Sequence, residues 1–303
     1  MVDRFDSVLR SGYFLENHYH LKGRVEAKFL IDHRYVLLYI TYMKIPRLLF
    51  LIGFVFLFPG VSQGVSSSVL VAAASSMKFP FDEMIVAFER EHPEIDVKIS
   101  YASSGALFSQ IKNGAPFDIF FSANELYPGE LEKLHLASSA QKKEIYALGQ
   151  VALWMPKHSQ NKLATEGLEV LLSAKIHKIS IANPRHAPYG RAAIQAMQKA
   201  GVYEQTKQKL VFGENVSQAA QFVSTGAAQA GLFAYSMTLA PAMKNAGAHW
   251  LVPPAYHDPI QHARLILKTG NNVAGAGEFA AFVSGAHGAV ILKKYGFLEA
   301  QPR

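Results

Sequence analysis

Residues 69–105, VLVAAASSMKFPFDEMIVAFEREHPEIDVKISYASSG, decide how the chain folds. The run 69–74 is continuously apolar, the pattern of a strand buried on both faces. Phe81, Met84, Ile85 and Phe88 then recur at the spacing of one helix face, and Pro93 closes the segment. Val97, Ile99 and Tyr101 alternate as in a strand, and Leu107 and Ile111 lead a second short helix that Gly114 ends. A strand, a helix and a second strand in that order make a crossover unit, so the two strands run parallel. The alternation continues outward. Strands are predicted at 118–123, 151–155, 178–182, 230–235, 250–253 and 263–267, and helices at 191–200, 217–225 and 277–295. The class is α/β with mostly parallel sheets, and no internal repeat stands out in the sequence.

Half of the 303 residues are hydrophobic and 17% are charged, a globular composition with one strongly apolar segment added. Cysteine is absent, which excludes disulfides, thiolate metal ligands, a catalytic thiol and a lipid-modified cysteine anchor. The net charge of +7 is partly local: residues 1–64 hold 8 Lys/Arg against 5 Asp/Glu, and the remainder holds 22 against 18. That remainder has no basic block of the kind that binds nucleic acid, so no nucleic-acid partner is expected.

The apolar segment is an address. MKIPRLLFLIGFVFLFPGVSQG, residues 43–64, has a basic start at Lys44 and Arg47, an eleven-residue apolar run at 48–58, a Pro59-Gly60 break and small residues at Ser62 and Gly64. These are the three parts of a secretory signal peptide, and the run is too short for a spanning helix of about 20 residues. Residues 1–42 read as an N-terminal extension ahead of the true start at Met43, and the mature chain is expected to begin near Val65.

Four strand-to-helix turns share small and hydroxyl residues: AAASS at 72–76, YASSG at 101–105, NPRHAPYG at 183–190 and ENVS at 214–217. A helix start carries unpaired N–H groups and partial positive charge. A serine there most often caps the helix, but the same groups also bind anions, and in open α/β sheets such turns lie where ligands bind. Arg185, His186 and Arg191 read as solvated charge around the third turn.

At these turns the chain resembles the periplasmic molybdate-binding proteins, the ModA family. The resemblance rests on VAAASS, YASSGALFSQIKNGAPFDIFFSAN, NPRHAPYGRAA, GENVSQA, AGLFAYS and the closing KKYGF, in that order over nearly the whole mature chain. It implies a two-lobed type II periplasmic binding fold, with a mostly parallel sheet in each lobe. Lobe one is then 65–147 plus 269–303 and lobe two 148–268, joined by crossover strands near 151–155 and 263–267. It also implies a periplasmic, monomeric receptor without cofactor or lipid anchor, which takes up molybdate or tungstate and hands it to the membrane subunits of an ABC importer. By the same resemblance Ser75 and Ser104 supply hydroxyl and N–H bonds to the oxyanion, and Tyr189 and Val216 supply backbone N–H groups. These four contact the metal only through its oxygens, and Ser76 adds an N–H. Some family members place a tyrosine hydroxyl on the ligand from a position that is Ala234 here, with Tyr235 one residue later; a subgroup has a tyrosine in the A-P-Y-G turn, as this chain does at Tyr189. The missing hydroxyl is therefore assigned to Tyr189 or to Tyr235.

Two other readings stand beside this one. Sulfate carries the same charge, and only cavity size separates it from molybdate. An acyl-serine enzyme of the penicillin-binding or β-lactamase type is suggested by Ser75-x-x-Lys78, Ser122-Ala123-Asn124 and Lys268-Thr269-Gly270. Pro80 opposes it, because proline fits only the first turn of a helix and so leaves Lys78 at the helix start, not one turn inside. The chain is therefore expected not to be an enzyme.

Overall fold

The computed structural model describes residues 67–300, apart from 140 and 158–161, together with the backbone of 27–32 and 35–40. The chain divides into two units, 1–61 and 62–303. In the first, strands β1 (Ala27–Asp32) and β2 (Tyr35–Ile40) form an antiparallel hairpin with Ala27 opposite Ile40. The expected signal segment 43–64 lies outside the described residues.

The second unit holds two sheets. One contains β3 (Ser67–Ala74), β4 (Ile95–Ala102), β5 (Ile119–Ser122), β6 (Glu144–Gly149), β12 (Ile260–Ile266) and β13 (Leu298–Glu299), in the order β13-β6-β12-β5-β3-β4. The other contains β7 (Val151–Pro156), β8 (Ile179–Ala182), β9 (Leu210–Gly213), β10 (Ala230–Ala234) and β11 (Gly247–Leu251), in the order β11-β7-β10-β8-β9. Not counting the strand that arrives from the other sheet, each sheet places its first strand between its second and third, and the arriving strand is inserted beside the third. That strand is β12 in the larger sheet and β7 in the smaller, and each pairs antiparallel with its neighbours. This is the two-lobed α/β architecture expected. The mostly parallel sheets are corrected to mixed ones: β3 with β4 and β5, and β8 with β9 and β10, are parallel, but a strand entering from the opposite lobe must run back against them. The repeated topology has no counterpart in sequence similarity between the halves.

The chain crosses between sheets at Gln150, which alone separates β6 from β7, and returns between β11 and β12. Because β12 pairs with β5 and β6, the return precedes Ile260, so 260–266 belongs to the larger sheet and not to the second lobe as expected. The long terminal helix is also two helices, Val273–Ser284 and Ala286–Lys294, because Gly285 is extended (φ −81°, ψ −177°).

The core follows from the strand pattern. All four residues of β5 are buried; Phe120 packs with Leu107, Ile111 and Leu131 on one face of the larger sheet. Phe121 faces the opposite side, edge-on to Phe81, Tyr146 and Phe279. Helix Lys78–Glu91 contributes Phe81, Met84 and Phe88 to that side, three of the four residues its spacing marked, and the fourth, Ile85, is only partly buried against them.

Candidate functional site

The four turns singled out in the sequence follow the first and second strands of each sheet. Ser75–Met77 is a short 3-10 turn after β3 that leads into helix Lys78–Glu91, and Ser104–Lys112 follows β4. Pro188–Lys199 follows β8, and Val216–Ser224 follows β9. Strand ends of this kind lie on the edge of an α/β sheet where ligands collect. Three of these starts have no side-chain cap: Ala74 and Ala187 have no side chain able to cap, and the hydroxyl of Ser103 is turned elsewhere. Only Asn215 caps in the ordinary way, accepting from the Gln218 N–H at 3.1 Å. The capping explanation for these serines therefore fails at the positions where it was to apply.

Contacts across the lobes join the turns. Ser75 Oγ accepts the Val216 N–H at 3.1 Å, and the Ser217 hydroxyl donates to the Ser75 carbonyl at 3.4 Å. Ser236 Oγ donates to the Ser76 carbonyl at 2.8 Å. At the second turn, the Gly105 N–H donates to the His186 carbonyl at 2.9 Å, and Ser103 Oγ lies 2.7 Å from His186 Nδ1. Gly105 is needed there, since a Cβ would come within 2.8 Å of the His186 carbonyl oxygen. Ser104 Oγ accepts the Ala123 N–H at 2.9 Å.

Ser75, Ser76, Ser104, Tyr189 and Val216 are all buried. The hydroxyls of Ser75 and Ser104 each accept a backbone N–H, which leaves their own protons to be donated. Among the described residues, Ser76 Oγ is the one buried side-chain polar atom with no hydrogen bond of full geometry; the Tyr189 hydroxyl is near enough to act on it but does not complete one. An orphaned donor of this kind is costly unless something fills its valence. Tyr189 sends its hydroxyl to within 3.1 Å of His262 Nε2, beside Ser76, and burial pushes its ionisation far above the ordinary phenol range.

Cations stay outside this set. Lys78 donates to Asp82 at 2.9 Å and lies over the Tyr101 ring. Arg185 is exposed, and Arg191 bonds the Pro184 carbonyl with its guanidinium over Tyr127, as solvated or peripheral charge should. His186 departs from that expectation, because it bridges the lobes. Nothing in the local pattern of NPRHAPYG distinguishes it from its charged neighbours. Tyr235 is not brought to the serines by its side chain: the ring packs on His249 at 4.8 Å and against Gly296, while its N–H donates to the Gln150 carbonyl. Among the described residues no group of three or more His, Asp or Glu could hold a metal cation.

The acyl-enzyme motifs do not assemble around Ser75. The Lys78 ammonium is held by Asp82, and the Ser122 hydroxyl donates to the Asn124 carbonyl. Gly270 packs on Asp118, whose carboxylate accepts the N–H of Leu70. Leu70 lies five residues before Ser75 along β3, so Lys268-Thr269-Gly270 sits about 16 Å away at the other end of the strand.

Comparison with known proteins gives one answer at sequence and structure level. Residues 69–298 match the family model for bacterial extracellular solute-binding proteins. The chain is 34% identical over 232 residues to the molybdate-binding protein ModA of Azotobacter vinelandii, covering 77% of this chain and 90% of that protein. It is likewise 34% identical to the ModA of Rhodobacter capsulatus, over 77% and 89% of the two chains. The solved periplasmic molybdate-binding protein of A. vinelandii superposes with a TM-score of 0.71 at 30% identity, over 77% of this chain and all of that one.

Proposed function

The chain belongs to the ModA family of bacterial extracellular solute-binding proteins, and from that premise we propose that it captures molybdate, and tungstate with it, and delivers the anion to an ABC importer. The observation that carries this reading is the set of buried donors without cations: Ser75, Ser104 and the orphaned Ser76 hydroxyl, on helix starts that three times in four lack a cap. Ser75, Ser76 and Ser104 lie on one lobe and Tyr189 and Val216 on the other, so an anion between them is held by both.

Molybdate is doubly deprotonated at neutral pH and needs only donors, whereas hydrogen phosphate would also need an acceptor. A hydrogen bond to a charged group contributes about 1.5–3 kcal/mol, so six or seven give on the order of 10–20 kcal/mol before ordering costs. Micromolar binding needs about 8 kcal/mol, which leaves room for lobe closure. Tyr189, the tyrosine whose hydroxyl points among these groups, is the better of the two candidates for a side-chain bond. In this reading segment 43–64 directs export to the periplasm, and the closed form docks on the permease as a monomer. Its work is capture and release, with no acyl-serine chemistry.

Isothermal titration with molybdate, tungstate, sulfate and phosphate tests the proposal. Heat is expected from the first two alone. Saturable binding of sulfate with none of molybdate would move the protein to a different oxyanion.

A further inference from the structure

A buried chain of three side chains runs away from the anion site, and beyond its first member, Tyr189, it plays no part in the reading above. Tyr189 Oη lies 3.1 Å from His262 Nε2, and Tyr146 Oη lies 3.4 Å from His262 Nδ1. The three come from separate elements: helix Pro188–Lys199 of the second lobe, and β12 and β6 of the first. Two local features build the chain. Gly149 leaves space for the phenol, since a Cβ there would fall 2.1 Å from Tyr189 Oη. On β6 a bulge leaves Tyr146 as the extra residue, because His262 pairs with Ala147 and Ala263 with Ile145. Bulges re-aim side chains in this way, and here Tyr146 and Ala147 are buried in succession.

His262 has no exposed surface, and burial pushes its ionisation down to about 3, so the ring is neutral and carries one N–H. The chain then holds three protons for two hydrogen bonds. With the imidazole proton on Nε2, Tyr146 donates to Nδ1, Nε2–H donates to Tyr189 Oη, and the free O–H is that of Tyr189. With the proton on Nδ1 every bond reverses and the free O–H is that of Tyr146. The charges at the two ends choose between these arrangements. At the Tyr146 end the Arg264 guanidinium is paired with Glu144 at 2.6 Å, so the ion pair leaves the phenol only a mild preference for turning its oxygen towards the guanidinium and its proton away. At the other end Tyr189 stands beside Ser76, where the dianion is proposed to sit.

We propose that His262 is a positioning residue for oxyanion capture: its Nε2–H donates to Tyr189 Oη, Tyr146 holds Nδ1 as an acceptor, and the Tyr189 proton is thereby offered to the bound anion. The proposal rests on the molybdate reading and deepens it. It makes this face of the site a donor only. A ligand that brings its own proton, such as hydrogen phosphate, would need all three groups reversed and the Tyr146 proton turned towards Arg264.

The test is titration of sodium molybdate into the full chain and its His262→Leu, His262→Gln, Tyr189→Phe and Tyr189→Phe/His262→Leu variants, with imidazole 15N spectra of the wild type. Leucine at 262 is expected to weaken molybdate binding roughly tenfold, the loss of one oriented hydrogen bond. Glutamine, whose amide N–H takes the place of Nε2–H, should recover part of that loss. In the Tyr189→Phe background the leucine change should add nothing, and the spectrum of the loaded protein should show the His262 proton on Nε2. Wild-type affinity in His262→Leu, independent losses in the double variant, or a proton on Nδ1 in the loaded protein would each overturn the relay while leaving molybdate binding intact. Wild-type protein that gives no heat with molybdate would overturn the ligand assignment and the relay with it.

Discussion

Ser104 shows how one side chain serves two purposes. Its hydroxyl accepts the Ala123 N–H, which ties the start of helix Ser104–Lys112 to the end of β5, and its remaining proton is free for a ligand. Ser104→Ala should therefore weaken molybdate binding by about 1.5–3 kcal/mol, read by calorimetry, and should also lower unfolding free energy by about 1–3 kcal/mol, because it leaves the buried Ala123 N–H without its acceptor. Gly149 tests the Tyr189 phenol from the opposite direction. Alanine at 149 brings a methyl group into the position the hydroxyl occupies, so affinity should fall although no donor has been removed. Unchanged affinity in Gly149→Ala would mean that the phenol lies clear of the anion. The serines were legible in the sequence, because hydroxyls at strand-to-helix turns form a local pattern. His186 and His262 were not, since each is defined by a partner far along the chain, Ser103 for one and Tyr189 for the other.

At the scale of elements, the helix starts divide by what occupies the cap position. Asn215 caps Val216–Ser224 and holds the first turn in place, so that the Val216 N–H points at Ser75. Asn215→Ala should lower stability by about 0.5–2 kcal/mol in chemical denaturation, the usual cost of a lost cap. The other three starts have no such bond to lose; at Ser104–Lys112 the Gly105 N–H is already given to the His186 carbonyl, and the N–H groups that remain are left for a partner of negative charge. Element positions in the sequence reading were close wherever apolar spacing was regular. They failed at β6, where the bulge at Tyr146 breaks the alternation, and at Gly285, where a long apolar pattern conceals an extended residue between two helices. Both are single-residue departures that a periodic pattern averages away.

For the whole molecule, the second unit is built so that polar groups of one lobe are satisfied by the other. Ser75 with Val216, Ser76 with Ser236, Ser103 with His186 and Tyr189 with His262 all pair across the cleft. In the proposed capture cycle closure is a hinge motion, and Gln150 sits at a crossing point, its carbonyl accepting from the Tyr235 N–H and its side chain donating to the Gly296 carbonyl. Burial of His262 also gives the folded state a pH dependence. Its ionisation falls from the ordinary 6.5 to about 3 on folding, so between those values the unfolded chain binds a proton that the folded one refuses. Stability is full above pH 6.5 and declines as pH falls towards 3, by about 2 kcal/mol between pH 7 and pH 5. Partial desolvation moves His249 in the same direction. Denaturation measured across that range should show the slope, and His262→Gln should flatten it.

The sequence by itself determined the alternation of strands and helices, the globular class, and the four hydroxyl-rich turns, because each of these is set by residues within a few positions of one another. It also carried the family resemblance, since those turns are read as contiguous motifs. Only the tertiary structure decided which turns face each other, that the crossing strands run antiparallel, that Tyr235 packs away from the serines, and that Tyr189, His262 and Tyr146 form one chain. These depend on contacts between residues tens to more than a hundred positions apart, and in the case of Tyr146 on a one-residue bulge that reverses which face a side chain occupies.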